Sequence, residues 1–244
     1  MSSFMNCRWM LFVVAITLTT TAKAVDSDAA SLTLGKLPAG KVLFLGNSIT
    51  LHGPSEKIGW KGNWGMAASS KEQDYVHLVT ARIAKSIGDR PKIKVRNIAA
   101  FEREYETFDV ATGLKDEFGF RADIVIVAIG ENVTAPATEE AKVAFAEAFS
   151  GLLDSVRQHG KPEIFVRSSF WPNSVKDDIM RHASEAAGAT FIDITELGND
   201  QANRASAERD FEHAGVAAHP GDKGMQAIAS AIVAAIRANA GVTE

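Results

Sequence analysis

The feature that most constrains the fold is a set of five short apolar runs separated by stretches with helical periodicity. The third run is apolar at every position, which is typical of a parallel strand covered on both faces. Between the runs, apolar residues recur every three or four positions, as in helices that pack on a sheet. The alternation predicts an α/β protein with a doubly wound, mainly parallel sheet. The predicted strands are Val42–Leu45, Ile93–Val95, Ile124–Ile129, Glu163–Val166 and Thr190–Asp193.

The three clearest helical stripes begin at Val76, Phe145 and Met225. We predict Thr138 as the N-cap of the second helix and Asp222 as the N-cap of the third, since both residue types favour that position. Residues 51–68 instead carry four glycines and two tryptophans directly after the first strand. This segment is too rich in glycine for a helix, and we expect a loop at the carboxyl edge of the sheet, where open α/β folds bind ligands.

The first 24 residues are typical of a secretory signal peptide. Arg8 precedes an apolar run from Trp9 to about Thr20, and Ala22-Lys23-Ala24 offers a small-x-small cleavage pattern. The run is shorter than the roughly 20 apolar residues of a membrane span. We therefore expect cleavage, no stable membrane insertion and a secreted or periplasmic protein, with an uncleaved N-terminal anchor as the alternative. The predicted segments are a signal peptide (1–24), an extended lead-in (25–39) and one folded domain (40–244).

Charge and cysteine content exclude several classes of function. The formal net charge is −4 and no basic cluster stands out, so we expect no binding to nucleic acid. Cys7 is the only cysteine and would leave with the signal peptide. The mature chain is therefore expected to hold no disulfide and no thiolate metal site.

Three short motifs carry residues suited to chemistry. Ser48, in Gly46-Asn47-Ser48-Ile49, follows the first strand on a tight turn, where its hydroxyl can face the crevice and its N–H an oxyanion. His219 precedes the last helix in His219-Pro220-Gly221, where a neutral imidazole can accept a hydroxyl proton. Asn132 follows the third strand in Gly130-Glu131-Asn132, and its amide can donate to an oxyanion. Taken singly, each motif is also compatible with an ordinary turn or cap residue.

Together, in this order and placement, the three motifs resemble those of the SGNH (GDSL-type) hydrolase family. The resemblance spans about residues 41–239 and includes the Gly-Asp-Lys-Gly-Met that follows His219-Pro220. It implies a flavodoxin-like three-layer α/β/α sandwich with Ser48 as nucleophile and His219 as base. It also implies that Asn132 and the Ser48 N–H hold the oxyanion. No metal and no organic cofactor are implied.

The sequence departs from the family pattern at two positions beyond the replacement of aspartate by Asn47. The second family block normally offers a glycine whose N–H joins the oxyanion hole, but this chain reads Asn97-Ile98-Ala99-Ala100-Phe101-Glu102. A backbone N–H between Ala100 and Glu102 can still serve, and Ala100 is our candidate. The family also places an aspartate three residues before the histidine, where this chain has Val216.

The missing aspartate leaves two arrangements open. Asp210 or Glu212 could reach the imidazole and orient it, or a backbone carbonyl could do so and leave a Ser–His dyad. We favour the dyad, because residues 215–218 give little reason for an upstream acid to fold back.

Four further residues are candidates for substrate binding. His52 lies in the glycine-rich loop, where it either lines the pocket or is solvated. Trp60, Trp64 and Trp171 could stack on sugar rings or pack within loops.

The leading hypothesis is a secreted serine esterase that acts on carboxylic esters by acyl transfer, with O-acetyl groups on carbohydrates as the expected substrate. The partners expected are therefore a small ester or an acylated glycan. Two alternatives stay open: a lipase-like or lysophospholipase-like esterase, and a carbohydrate-binding module on a decayed hydrolase fold.

Overall fold

The computed structural model describes residue 1 and residues 32–242, and its central feature is a five-stranded parallel sheet. All five predicted strands are present, with ends shifted by at most two residues. Their bounds are Lys41–Gly46 (β3), Lys92–Asn97 (β4), Ile124–Ala128 (β5), Glu163–Arg167 (β6) and Thr190–Ile192 (β7). The strand order is β4-β3-β5-β6-β7, and each neighbouring pair is parallel.

The sheet is covered on both faces, which confirms the three-layer α/β/α sandwich. The middle strand β5 is buried along its whole length, as its unbroken apolar sequence predicts. The longer helices are Tyr75–Ile87 (α1), Glu139–Gln158 (α5), Ser174–Ala186 (α6) and Asp222–Ala240 (α9). On one face of the sheet Phe44 and Ile126 pack with α1 and α9, and on the other Leu43 and Val125 pack with α5 and α6. The shorter helices are Ala99–Arg103 (α2), Val110–Gly113 (α3), Lys115–Gly119 (α4), Thr195–Asn199 (α7) and Ala214–Ala217 (α8).

The predicted N-caps have different outcomes. The Thr138 hydroxyl accepts the Ala141 N–H at 3.2 Å, so this cap is confirmed. The prediction for Asp222 is wrong, because α9 begins at Asp222 and its N-cap is Gly221. The Asp222 carboxylate instead accepts the Ser69 N–H at 2.7 Å and pairs with Arg209 at 3.1 Å. This aspartate therefore ties the glycine-rich loop to the last helix.

The N-terminal segments are described only in part. The predicted signal peptide lies outside the described residues except for residue 1. Within the predicted lead-in, Thr33–Leu34 (β1) and Leu37–Pro38 (β2) form a two-stranded antiparallel hairpin. In the described part of the chain, no helix combines the length and apolar character that crossing a membrane requires.

The glycine-rich segment forms a folded loop at the carboxyl end of β3. Isolated antiparallel bridges join His52 to Trp64 and Ser55 to Trp60, and a single 3₁₀ turn spans Glu56–Ile58. The Met66 N–H donates to the Ser48 carbonyl at 2.8 Å. The loop is thereby attached to the turn that follows β3.

The turn itself requires a glycine at position 46. A β-carbon there would lie 2.7 Å from Cβ of Thr50 and 2.9 Å from the Ala128 carbonyl oxygen. Neither neighbour can easily yield, since Thr50 is buried with its hydroxyl 2.7 Å from that of Tyr75, and Ala128 belongs to the central strand. The first glycine of the Gly-Asn-Ser-Ile motif is therefore a packing requirement.

We predict that Gly46→Ala lowers the free energy of unfolding by about 1–3 kcal/mol, the usual cost of overpacking a core. Urea denaturation would measure it. Gly151→Ala is the matched control, because Gly151 is exposed within α5 and a β-carbon there would meet no atom within 4 Å. That variant should gain about 0.5–1 kcal/mol. Equal effects of the two substitutions would contradict the packing argument.

Candidate active site

Ser48 and His219 meet at the carboxyl edge of the sheet although 171 positions separate them in sequence. Ser48 stands on the turn after β3, and His219 lies in the short connection between α8 and α9. The Ser48 Oγ lies 2.8 Å from Nε2 of His219. At this distance an unprotonated Nε2 accepts the hydroxyl proton in a hydrogen bond, which is the geometry of an activated nucleophile.

The other ring nitrogen of His219 faces the backbone. Its Nδ1 lies 2.6 Å from the carbonyl oxygen of Gly215, one turn earlier in the chain. A carbonyl can only accept, so Nδ1 carries the proton and Nε2 is left to accept from Ser48. Trp171 packs edge-to-face on the imidazole with ring centroids 5.1 Å apart. The histidine ring is therefore held by two hydrogen bonds, to Gly215 and to Ser48, and by one aromatic contact.

Neither candidate acid is part of this arrangement. In the described residues, no hydrogen bond or ion pair joins Asp210 or Glu212 to the His219 ring, and both carboxylates line a neighbouring cavity. Val216, at the position of the family aspartate, is buried with Trp60 and Met66 in a small apolar cluster. The contact to the His219 Nδ1 atom comes from the Gly215 backbone carbonyl instead.

Burial lowers the pKa of His219 below its ordinary value, and the hydrogen bond to the Gly215 carbonyl opposes this only in part. Only 8% of the residue is exposed, so the charged imidazolium loses much of its hydration. The ring is therefore neutral, and competent as a proton acceptor, at neutral pH.

Asn132 and His219 line the same cavity. This cavity measures about 390 Å³, and its polar lining side chains are Ser48, His52, Arg103, Asn132, His213 and His219. Ala99 lines it too, whereas the candidate Ala100 is exposed on the first turn of α2. The Ala99 N–H donates to Asn97 Oδ1 at 2.9 Å. Ala100 therefore contributes no side chain to the cavity, and only its N–H, in the unpaired first turn, can be considered for an oxyanion.

A buried polar network lies beneath Ser48 and Asn132. Glu131 accepts from Arg167 Nη1 at 2.6 Å, from the Phe170 N–H at 2.7 Å and from Asn47 Nδ2 at 2.6 Å. Glu102 accepts from Asn47, from the backbone N–H groups of Gly130 and Asn132, and from the Asn132 side chain. The network connects the ends of β3, β5 and β6, and its hydrogen bonds offset the burial of the two carboxylates.

The two carboxylates of this network have opposite pKa shifts. Burial alone would raise the pKa of Glu131, but the Arg167 charge and the hydrogen bonds outweigh it and lower that pKa. Burial, together with repulsion from Glu131, raises the pKa of Glu102, and the hydrogen bonds from Asn132 and Gly130 oppose this rise. The Lys176 ammonium also lies nearby, donating to the Gly130 and Val133 carbonyls at 2.7 and 3.0 Å. Its burial lowers its pKa.

A second cavity of about 540 Å³ adjoins the first and shares Ile58, His213 and Val216 with it. Both candidate tryptophans of the glycine-rich loop line it, but they pack on each other with ring centroids 5.6 Å apart. Trp60 is only 8% exposed and donates to the His52 carbonyl at 3.0 Å, so little of its ring face is open to a sugar. Trp64 is partly exposed and donates to the Ala68 carbonyl.

The last two candidates lie close to His219 and Ser48. Trp171 packs against the His219 ring, and its Nε1 donates to the Ala218 carbonyl at 3.2 Å. His52 lines the cavity of Ser48, with its Nδ1 2.6 Å from the Gly53 carbonyl.

Sequence reasoning missed three side chains that shape this site, those of Arg167, Lys176 and Glu102. It allowed for a backbone carbonyl beside the imidazole, but a side-chain pattern has no signature that identifies Gly215. Arg167 and Lys176 look like ordinary charged residues at a strand end and on a helix, yet both are buried. Glu102 stood within the second family block, but only its backbone was considered. In the described residues no group of three or more His, Cys, Asp or Glu side chains is arranged to hold a metal ion.

Comparison with known proteins supports a family assignment. Residues 44–227 match the sequence model of the GDSL-like lipase/acylhydrolase family, which is most of the chain. A search of curated proteins found no significant match.

Solved structures share the fold at low sequence identity. A protein from Bacteroides uniformis ATCC 8492, described as a GDSL-like lipase, is 17% identical with a TM-score of 0.54, over 81% of this chain and 95% of that one. An acetyl xylan esterase from the rumen bacterium Butyrivibrio proteoclasticus is 16% identical with a TM-score of 0.52, over 84% and 64%. A family two carbohydrate esterase from Cellvibrio japonicus is 14% identical with a TM-score of 0.53, over 84% and 62%. The present chain thus spans less than two thirds of each of the last two.

We predict that the His219 imidazole titrates below about pH 6.5, the ordinary histidine value, because its charged form is poorly hydrated. NMR titration of the folded protein would measure it, with the urea-unfolded protein as reference. Since unfolding then raises the proton affinity, this residue makes the fold less stable as pH falls through 6.5 towards the folded pKa. A folded midpoint at or above the unfolded one would contradict the burial argument.

Proposed function

Because the chain belongs to the GDSL-like lipase/acylhydrolase family, we propose that it hydrolyses carboxylic esters with Ser48 as nucleophile and His219 as general base. The observation that carries this proposal is the 2.8 Å contact between Ser48 Oγ and Nε2 of His219. The other ring nitrogen, Nδ1, donates to the Gly215 carbonyl, so Nε2 is free to accept the serine proton. Family membership supports an ester-bond hydrolase, and the geometry supports these two residues.

The proposed reaction begins when Ser48 Oγ attacks the ester carbonyl carbon while Nε2 of His219 takes the hydroxyl proton. The carbonyl oxygen becomes an oxyanion that accepts from the Ser48 N–H and from Asn132 Nδ2; the N–H of Ala100 is a further candidate. The C–O bond to the alcohol then breaks, and His219 returns the proton to the leaving oxygen. Water, deprotonated by His219, then attacks the acyl carbon; the bond from this carbon to Ser48 Oγ breaks, and His219 returns the proton to Oγ as the acid leaves.

In this proposal a backbone carbonyl performs the orienting part of a triad aspartate. The carbonyl fixes the tautomer as well as a carboxylate does, because it accepts from Nδ1–H. It carries no full negative charge, so it stabilises the imidazolium less than an aspartate would. The Trp171 edge contact fixes the plane of the ring. The site is therefore proposed as a Ser–His dyad.

We propose O-acetyl groups on carbohydrates as the substrate class. The cavity of about 390 Å³ around Ser48 fits a small acyl group, and it opens beside a larger cavity that could hold the rest of a glycan. The names of the fold's neighbours, an acetyl xylan esterase and a carbohydrate esterase, are in keeping with this class. The proposal includes export, which rests on the sequence of residues 1–24 alone.

We predict that Ser48→Ala lowers kcat on a 4-nitrophenyl acetate or acetylated xylan substrate by at least about 10³-fold, because no other group replaces the attacking oxygen. His219→Ala should do the same, and the double variant should be little worse than either single one. Ser206→Ala, an exposed serine, is the matched control. Turnover that persists in Ser48→Ala would rule out the nucleophile assignment, and full additivity of the two losses would argue against a joint role.

We predict that Asp210→Asn and Glu212→Gln each change kcat by less than about threefold, because neither carboxylate contacts the His219 ring. Loss of the orienting aspartate in a triad lowers kcat by about 10⁴-fold, so the two arrangements are well separated. Steady-state kinetics on the same ester would distinguish them. A loss of 100-fold or more in either variant would place that acid in a triad.

A further inference from the structure

We propose that Glu102 is a positioning residue that holds the Asn132 amide in the orientation needed to bind the oxyanion. This inference rests on the proposed esterase function. Glu102 does not reach the cavity itself. It acts through Asn132.

The Glu102 carboxylate is buried and surrounded by hydrogen-bond donors. Its Oε1 accepts from the Gly130 N–H at 2.7 Å, the Asn132 N–H at 3.1 Å and Asn47 Nδ2 at 3.2 Å. Its Oε2 accepts from Asn132 Nδ2 at 2.8 Å. A single side chain on α2 therefore joins the turn that bears Ser48 to the loop that bears Asn132.

These contacts determine which way the Asn132 amide points. Its Nδ2 faces the Glu102 carboxylate, which can only accept, and its Oδ1 faces Arg103 Nη2 at 3.4 Å, which can only donate. Reversing the amide would place the oxygen against a carboxylate and the NH₂ group against a guanidinium. One N–H of Nδ2 is committed to Glu102, and Asn132 lines the cavity of Ser48. The second N–H is then the one directed at an oxyanion.

The asparagine at position 47 fits the same interpretation. Asn47 Nδ2 donates to both Glu131 and Glu102, while its Oδ1 accepts the Ile49 N–H at 3.1 Å. An aspartate, the usual family residue here, would bring a third carboxylate against two buried ones and would have no proton to donate to either. A neutral, donating Asn47 therefore suits a buried carboxylate at Glu102. The second block of this chain lacks the family glycine, and here the Glu102 side chain orders the oxyanion site through its hydrogen bonds.

Charges around Glu102 limit the electrostatic penalty of a carboxylate near an oxyanion. Its neighbours include one further acid, Glu131, and three cations. Arg167 pairs with Glu131, Lys176 holds the carbonyls of the Asn132 loop, and Arg103 lies on the cavity side of the amide. The surroundings are thus not dominated by negative charge.

The test is Glu102→Gln. Glutamine keeps the shape and one acceptor oxygen for the backbone donors, but it sets an NH₂ group against Asn132 Nδ2. We expect kcat to fall about 10–100-fold with KM nearly unchanged, since a misplaced oxyanion donor weakens only the transition state. Glu104→Gln is the matched control, because Glu104 is exposed two positions later. Unchanged kcat in Glu102→Gln would overturn the inference.

A double-mutant cycle separates positioning from general structural damage. Asn132→Ala should lower kcat by about 10²–10³-fold, the usual effect of losing an oxyanion donor. Adding Glu102→Gln to Asn132→Ala should then cost less than about threefold more, because the residue through which Glu102 acts is gone. Losses that multiply in full would show that Glu102 acts elsewhere and would overturn the inference.

The hydrogen bond from Asn132 Nδ2 to the Glu102 carboxylate, called the clamp below, can be tested by NMR on the wild-type protein. This measurement needs neither turnover nor a Glu102 variant. The two Asn132 Nδ2 hydrogens, assigned by their absence in Asn132→Ala, should have widely separated shifts, with one shifted downfield by the carboxylate. Two signals at the positions of a free amide would contradict the clamp. If Ser48→Ala keeps full turnover, the proposed function fails and this measurement still decides the clamp. If Ser48→Ala is inactive and the kcat losses of the double-mutant cycle multiply in full, the proposed function stands and only the positioning role of Glu102 fails.

Discussion

The arrangement of the candidate site depends on a buried ion pair between Glu131 and Arg167. Their side chains are 1% and 0% exposed and 2.6 Å apart, and Glu131 also accepts from Asn47 and from the backbone of Phe170. One carboxylate thus joins the carboxyl ends of three parallel strands, β3, β5 and β6. Breaking such a pair leaves an uncompensated buried charge, which typically costs about 3–5 kcal/mol. The turn that bears Ser48 is held in place through Asn47, and hence through this pair.

On that base the histidine is oriented by means that differ from the usual family pattern. Val216 occupies the position of the family aspartate, and its side chain packs in an apolar cluster with residues of the glycine-rich loop. The Gly215 carbonyl, freed by the short helix α8, takes over the contact to Nδ1. A carbonyl fixes the tautomer but supplies no counter-charge, so the buried imidazolium is less stabilised. In addition, burial lowers the pKa of His219, because the charged form of the ring is short of water.

The sequence was sufficient for the fold because its signals are local and cooperative. The unbroken apolar run at Ile124–Ile129 identifies the central strand without any knowledge of its neighbours, and the helical stripes assign the two faces. Cap chemistry was less reliable: Asp222 has the composition of an N-cap, but a tertiary contact with Ser69 decides where its carboxylate goes. The tryptophans were ambiguous for the same reason. Trp60 can either face a ligand or pack against Trp64, and the way in which the glycine-rich loop closes decides between the two.

The candidate site could be predicted only where the type of a residue and its place in the sequence indicate its chemistry. Ser48, Asn132 and His219 follow from residue type and placement, whereas the Gly215 carbonyl and the Glu102 clamp follow from three-dimensional proximity. Glu102 shows why a missing motif residue need not mean a missing function. The family glycine serves an oxyanion through its backbone N–H. Other residues also carry a backbone N–H, so the loss of the glycine removes a flexible backbone position and not the donor itself. In this chain the second block carries a carboxylate instead, which can fix an amide 30 positions away in sequence. Such a carboxylate is compatible with an oxyanion site only if residue 47 is neutral and cations surround it. Asn47, Arg167 and Lys176 meet both conditions, and the departure at Asn47 is therefore the counterpart of the departure at Glu102.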